Sequence, residues 1–385
     1  MGGYRIAVIG SRGIPAMYGG FESFAQELTP RLVERGHHVT VYCRAGYTDA
    51  DRPSSYRGVR LVYTPALRVR SLEQLTHEFA SIVDSIPRAF DIYYFLGYRG
   101  APFYIPVRAS RRLAIVNTDG LEWKRRKWNA LGRAYLRLAE SIAVYLGSDA
   151  LVADAVAIRD SFHRRFGRES EYLTNGAYTY TRDADLPHDA LQEWDLEPDG
   201  YYLVACRIEP ENNIDLIVRE FLDSGSRRTL VIAGGMNYET PYWRHLLEMA
   251  TGANVRFLGP VYGGMRIEHL HLGAYAYLHG HEVGGTNPAL LKAMGCGNLA
   301  LALDTPFNQE NATEFGRYWS KDPGSLGALI RWADGDAGAV HDLGEQARAR
   351  IAEHYSWDSV ADAHDRFFRR LANEKGLRPR SIGSA

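Results

Sequence analysis

Residues 280–295, Gly-His-Glu-Val-Gly-Gly-Thr-Asn-Pro-Ala-Leu-Leu-Lys-Ala-Met-Gly, set a glycine-bearing turn directly ahead of an apolar helix. Glycines let the backbone approach a ligand, and the free N–H groups and positive dipole end of a helix's first turn suit an anion such as a sugar diphosphate. A second junction of this kind lies near the N-terminus. There 5–9, Arg-Ile-Ala-Val-Ile, reads as a buried strand, 10–20 as a long loop ending in Gly19-Gly20, and 21–34 as an amphipathic helix. Two such junctions in two halves of one chain predict two α/β lobes facing a central cleft.

The length of 385 residues agrees with two domains, because single cores stop growing near roughly 250 to 300 residues. Hydrophobic residues at 45%, charged residues at 24% and a formal net charge of -1 exclude a disordered chain and argue against a nucleic-acid partner. The three cysteines, Cys43, Cys206 and Cys296, sit in apolar or glycine-rich settings without metal-like spacing. That pattern predicts a reducing, cytoplasmic setting and no disulfide framework. With the first strand expected by residue 5, no signal peptide is expected, and no apolar run reaches the ~18–20 residues of a membrane span.

Periodicity organises the rest. In the first half, strands are expected at 6–9, 39–42, 91–95, 114–117, 150–153 and 171–174, with helices at 21–34, 72–85, 131–146 and 155–166. The acidic, proline-containing segment 183–200 reads as a linker. A second series then starts. It has strands at 202–205, 229–233, 255–258, 274–278 and 299–303, with helices at 214–222, 265–272 and 288–294, followed by a helical tail at 343–372. The expected fold class is therefore α/β, with two Rossmann-like doubly wound domains. The domain boundaries are expected at 1–190, 191–360 and 361–385, the last being a helix end and a polar tail.

Four blocks in order carry a family resemblance: 9–22 (Ile-Gly-Ser-Arg-Gly-Ile-Pro-Ala-Met-Tyr-Gly-Gly-Phe-Glu), 119–125 (Asp-Gly-Leu-Glu-Trp-Lys-Arg), 208–213 (Ile-Glu-Pro-Glu-Asn-Asn) and 283–288 (Val-Gly-Gly-Thr-Asn-Pro). Together they resemble the retaining glycosyltransferases of glycosyltransferase family 4, of GT-B fold, and within them a bacterial rhamnosyltransferase branch acting on surface polysaccharides. The resemblance implies an N-terminal acceptor-side domain and a C-terminal nucleotide-sugar domain. It implies metal-independent transfer, with no cofactor, of a sugar from a nucleoside diphosphate, dTDP-L-rhamnose in this branch, to a saccharide or lipid-linked acceptor. Transfer with retention is explained there by same-face attack, the departing phosphate oxygen taking the acceptor proton.

By the same resemblance Arg207 clamps the diphosphate, and the donor is held by Gly284, Gly285, Thr286, Asn287 and His281. Gly19, Gly20 and Arg12 form the opposite wall. Asp119 is the catalytic candidate that orients or deprotonates an acceptor hydroxyl, against the alternative of a turn Asp before Gly120. Glu22, Glu122 and Arg125 are acceptor-side candidates, although a Glu in a first helical turn is also favoured by the dipole alone. Asn308 and Glu310 belong to the nucleotide-side loop.

Two departures concern charge. Lys292 stands where the broader family has a glutamate that accepts from ribose hydroxyls, and an ammonium has only donors. Asn212 stands where the general pattern has a phosphate-binding lysine. Either Lys292 supplies the positive charge that Asn212 lacks, or it alters donor binding, which leaves a catalytically weak nucleotide-sugar-binding protein as the alternative function. A transferase using a different UDP- or GDP-sugar is the other alternative.

The histidines His269, His271, His279 and His281 lack the carboxylate or cysteine pattern that would complete a metal site. A nicotinamide enzyme is disfavoured because the first loop is not Gly-x-Gly-x-x-Gly and the second strand ends in Cys43-Arg44 instead of an acidic ribose ligand. The basic aromatic segment 123–137, containing Trp123, Trp128, Arg133 and Arg137, predicts peripheral contact with the inner face of a membrane.

Overall fold

The computed structural model describes residues 2–17, 19–47, 52–67, 69, 72–118, 120–124, 128–235, 240–261 and 263–380. The chain forms two compact units, one of residues 1–175 with 357–385 and the other of residues 176–356.

The first unit contains β1 (Arg5–Ile9), α1 (Gly20–Glu34), β2 (His38–Arg44), β3 (Ser55–Tyr56), β4 (Val59–Thr64), α2 (Glu73–Ser85) and β5 (Ile92–Leu96). It continues through α3 (Ala101–Ala109), β6 (Leu113–Asn117), α4 (Ala130–Ile142), β7 (Ala150–Ala153), α5 (Val156–Phe166) and β8 (Glu171–Tyr172). Its sheet has the order β3-β4-β2-β1-β5-β6-β7-β8 and is parallel except for the β3–β4 hairpin. Strands β5 and β6 are buried at every position, which is why they read as unbroken apolar runs. Where the periodicity suggests one helix over 131–146, α4 stops at Ile142 and gives way to a π-helical turn, Ala143–Gly147.

The second unit contains α6 (Arg182–Asp185), β9 (Tyr201–Ala205), α7 (Ile214–Ser224), β10 (Thr229–Ala233), α8 (Pro241–Ala250), β11 (Val255–Gly259) and α9 (Arg266–Gly273). Then follow β12 (Ala276–His279), α10 (Pro288–Gly295), β13 (Ala300–Leu303), α11 (Pro306–Ala312), β14 (Arg317–Trp319), α12 (Ser325–Gly335) and α13 (Ala337–His354). All six strands are parallel in the order β11-β10-β9-β12-β13-β14. The Glu220 carboxylate is buried because it caps α12, accepting from Gly324 N at 2.9 Å and Gly327 N at 3.0 Å.

The segment expected to be a linker is anchored instead. Leu191, Trp194 and Leu196 are buried in the second unit's core, and Asp199 takes both guanidinium nitrogens of Arg182 at 2.6 and 2.9 Å. Composition registers the acidic and proline residues of 183–200, but three well-spaced apolar side chains decide its packing. The last helix, α14 (Trp357–Glu374), belongs to the first unit and lies on α1. Phe24 meets Trp357 at 6.2 Å and His364 at 5.6 Å between ring centroids, and Arg35 pairs with Asp362 at 2.7 Å.

Each sheet reverses its winding once, between β1 and β5 in the first unit and between β9 and β12 in the second. Ligands of open α/β sheets bind outside the carboxyl ends of the strands at such reversals. The loops after those four strands are therefore the expected ligand-binding edges.

Candidate functional site

In the second unit, β9 runs into Cys206-Arg207 and β12 into Gly280-His281, side by side in the sheet. Backbone and amide bonds tie the two exits together. Asn213 Nδ2 donates to Gly280 O at 2.7 Å, and Glu282 N donates to Glu211 O at 3.1 Å. Gly280 is required by this approach, because a Cβ there would lie 2.3 Å from Asn212 O. The loop after β13 joins them through Asn308, which is buried and donates from Nδ2 to Leu303 O at 2.8 Å and His281 O at 3.2 Å.

Arg207 is exposed at this edge, and among the described residues its guanidinium makes no hydrogen bond or ion pair. Asn212 does not extend toward it as a second cation would. Its amide is buried and donates to Arg207 O at 2.8 Å, shaping the loop that carries the arginine. The turn 283–287 leads into α10, with Gly285 and Thr286 buried and Gly284 facing open space. Asn287 Oδ1 accepts from Ala289 N at 3.0 Å, and Pro288 has no N–H. The first helical turn thus offers fewer free donors than the glycine pattern alone implies, and the turn's own amides gain weight as anion ligands.

Lys292 lies on α10 with its ammonium on the Glu268 carboxylate of α9. The cation singled out by the sequence is held in an ion pair within the unit. His281 stacks on His279 at 4.3 Å and 11° between planes, and burial holds His279 far below the usual imidazole range, as the neutral ring. His271 is buried against Asn298 Oδ1 at 3.0 Å, with burial pushing it down to about 3. Among the described residues no group of three His, Cys, Asp or Glu is placed to hold a metal ion. Burial raises the Cys206 thiol to about 12, so it stays protonated beside Arg207.

In the first unit the loop after β1 is held by α1 and α2. Arg12 N donates to Glu22 Oε1 at 2.7 Å, Ala16 N to Gln26 Oε1 at 2.7 Å, and Gln74 Nε2 to Gly10 O at 2.7 Å. Gly19 precedes α1 at φ +109°, and a Cβ there would fall 2.0 Å from Glu22 Oε2. Glu22 therefore folds back over the start of its own helix, while Gly20 faces open space.

The loops after β5 and β6 join beside it. Gly97 N donates to Asn117 O at 2.9 Å, Tyr98 OH to Gly120 O at 3.4 Å, and Glu122 N to Tyr98 OH at 3.0 Å. Glu122 is buried and paired with Arg99 at 2.6 Å, and it accepts from Trp128 Nε1 at 3.3 Å. Asp119 and Arg125 lie outside the described residues. The neighbour Thr118 bonds Val152 O through both N and Oγ1, at 2.9 and 3.1 Å.

Sequence reasoning missed four residues that support these loops: Gln74, His77, Tyr98 and Arg99. His77 Nε2 sits 3.2 Å from Ser11 O and burial lowers it to about 4, so the neutral ring is the native form. A histidine inside the buried stripe of α2 is the signal that could have found it. Glu78, also fully buried, accepts from Tyr104 OH at 2.8 Å and Gln74 Nε2 at 3.0 Å, and burial raises its carboxyl.

Residues 4–178 match the model of a domain of unknown function (DUF1972). No curated protein matches the chain in sequence. Among solved structures, sucrose-phosphate synthase from Thermosynechococcus elongatus is similar at a TM-score of 0.81 and 17% identity, covering 96% of this chain and 100% of that one. HepE from Anabaena in complex with UDP-glucose gives 0.75 and 14%, covering 96% and 100%. Alpha,alpha-trehalose 6-phosphate synthase from Burkholderia multivorans gives 0.72 and 11%, covering 99% and 100%. At these identities the likeness shows the fold. The chain has the α/β GT-B fold of these glycosyltransferases, built from two parallel-sheet units.

Proposed function

We propose that this protein is a retaining glycosyltransferase that moves a sugar, L-rhamnose from dTDP-L-rhamnose, to a saccharide or lipid-linked acceptor in surface polysaccharide or glycoconjugate synthesis. The observation that carries the reading is the edge of the second unit. There the Arg207 guanidinium, unpaired among the described residues, and the glycine turn 283–287 stand at the ends of adjacent strands, at the point where the winding reverses. A diphosphate gains negative charge as the glycosyl bond breaks. Preorganised donors that meet this charge lower the barrier, and a fixed cation with turn amides supplies them without reorganisation.

Thr286 and the amides around Gly284 and Gly285 hold the donor sugar and phosphates, and His281, backed by neutral His279, lines the same turn. The first unit presents the acceptor. Arg12, Gly19 and Gly20 border its loop, and Asp119 orients the attacking hydroxyl. That hydroxyl attacks the anomeric carbon from the face the diphosphate leaves, and its proton passes to the departing phosphate oxygen. A UDP-sugar is the second reading of the donor, favoured by the likeness to HepE, which was solved with UDP-glucose.

The test is a thermal-shift panel of dTDP-L-rhamnose, UDP-glucose and GDP-mannose followed by a nucleoside-diphosphate release assay. Stabilisation and turnover by dTDP-L-rhamnose alone supports the reading. Stabilisation by any of them without release, across saccharide acceptors, returns the protein to a nucleotide-sugar binder.

A further inference from the structure

Helix α2 turns its polar side inward and its apolar side out. His77, Glu78, Ser81 and Ser85 are buried on the inward side beside Ile82. These groups are satisfied within the unit. His77 Nδ1 and Ser81 Oγ meet Thr64 Oγ1 at 3.0 and 2.8 Å, Glu78 accepts from Tyr104 OH at 2.8 Å, and Ser85 Oγ donates to Ile82 O at 2.7 Å. On the outward side Phe79 and Val83 are 50% and 54% exposed, and Leu72 and Ile86, directly before and after the helix, are 43% and 44% exposed. A surface helix ordinarily gives its apolar stripe to the core, so a stripe left outside marks a contact with something apolar.

Helix α3 extends the stripe. Its Phe103 meets Phe79 at 5.0 Å between ring centroids, and its exposed residues are Ile105, Pro106 and Ala109. Among the described residues of the two helices, none of the exposed ones is charged. The partly covered charges are tied down within the unit: Glu73 to Arg44 at 2.8 Å, Asp84 to Arg88 at 2.7 Å and Arg108 to Asp149 at 3.7 Å. These helices therefore offer no free cation to a lipid headgroup and set no like charges against a copy of themselves. A formal net charge of -1 on the whole chain leaves little repulsion between copies.

We infer that this protein pairs with a second copy of itself, α2 packing antiparallel on α2 about a two-fold axis at Phe79. The spacing is self-complementary around that residue. Leu72 and Ile86 lie seven positions to either side of it, and half-buried Leu75 and Val83 lie four. A two-fold axis there sets Leu72 of each copy against Ile86 of the other and Leu75 against Val83, while Phe79 meets its own counterpart. Ile105 and Pro106 of α3 widen the contact on both sides of the axis. An isologous contact of this kind closes at two copies and leaves no face for further growth. The inference does not depend on sugar transfer.

The full chain is followed by sedimentation velocity from about 0.1 to 100 µM, without nucleotide or lipid. The expected result is a concentration-dependent species of twice the 43.2 kDa chain mass. Its dissociation constant should rise at least about hundredfold in Phe79→Glu/Val83→Glu, with the far-ultraviolet circular dichroism unchanged. Phe79→Cys keeps the test interpretable if the double variant fails to fold, because a residue on the axis meets itself. Mild oxidation should link two copies of Phe79→Cys, and should link neither the parent nor Leu138→Cys on α4. A chain that stays monomeric at about 100 µM, or a dimer indifferent to the glutamates and unlinked at position 79, overturns the proposal. So does a monomer that pellets with phosphatidylcholine–phosphatidylglycerol vesicles and loses that binding in Phe79→Glu/Val83→Glu, because the occupant is then a bilayer.

Discussion

Arg12 donates its backbone N–H to the Glu22 carboxylate at 2.7 Å, so the loop after the first strand is closed by a side chain from the helix it leads into. The closure needs Gly19, whose φ of +109° and missing Cβ make room for the second oxygen of Glu22. Glu22→Ala strands that N–H and is expected to cost about 1–3 kcal/mol in urea denaturation. Glu22→Gln keeps an acceptor oxygen and is expected to stay within about 1 kcal/mol of the parent. Gly19→Ala combines strain with the clash and should match or exceed Glu22→Ala. Equal stability of Glu22→Ala and parent would show that the bond closes nothing.

Arg207 is the opposite case, exposed, with a guanidinium that has no hydrogen-bond or ion-pair partner among the described residues. Arg207→Ala should leave the melting temperature where it is, with a stability change within about 0.5 kcal/mol. Transfer should fall by roughly 10²–10³-fold, the scale of losing one transition-state charge donor. Measuring kcat and KM beside the melting curve separates the two. A large drop in melting temperature with donor affinity intact would make Arg207 structural.

Lys292 and Glu268 should behave as a pair. Lys292→Glu sets two carboxylates against each other across α9 and α10, while Lys292→Gln only removes the attraction, worth up to about 1 kcal/mol for a partly exposed pair. The doubly exchanged Lys292→Glu/Glu268→Lys should recover most of the loss. Donor affinity measured on that exchanged protein, with stability restored, then reports what the charge at position 292 does to the nucleotide sugar. Weaker binding supports a diphosphate role, and stronger binding shows that lysine opposes the donor.

Stability should fall on the acid side. Burial holds His77 and His364 near 4, below the ~6.5 of a free imidazole, so the unfolded chain binds more protons between these values. Their contribution is complete above about pH 6.5 and disappears as pH falls toward 4, on the order of 3 kcal/mol for each ring. Urea midpoints at pH 7.5, 6 and 5 should decline in that order, and His77→Gln should flatten the slope. An unchanged slope in His77→Gln would mean that the ring titrates freely in the native protein.

Strands were the easiest elements to read from the sequence. Parallel strands buried on both faces, such as Ile92–Leu96 and Leu113–Asn117, must be apolar at almost every position, and few alternative structures produce so short an unbroken apolar run. Ser55–Tyr56 and Arg317–Trp319 escaped because they are too brief for any period to register, and the six-residue Val59–Thr64, interior to the sheet, escaped as well because exposed Arg60 interrupts its apolar run. The helix Trp357–Glu374 was legible only as part of one helical tail over 343–372, without the break after His354 and without its partner, because periodicity reports which face is apolar and not what covers it. At the site, the 283–287 turn stood out through local motif, and Arg207 through the family resemblance alone. The fold-back of Glu22 did not, for the dipole alone is reason enough for a glutamate in a first helical turn. The Lys292–Glu268 pair joins helices 24 positions apart in the chain, a distance over which charge patterning is silent.

The docking of α14 on α1 has a practical consequence for dissecting the protein. A fragment ending at residue 175 would leave Phe24 without the Trp357 and His364 rings that cover it. Anyone wishing to study the amino-terminal half in isolation must graft the distal helix back, through a tether from Asn175 to Trp357. Conversely, residues 176–356 form an uninterrupted stretch of chain that can be excised with a single cut at each end.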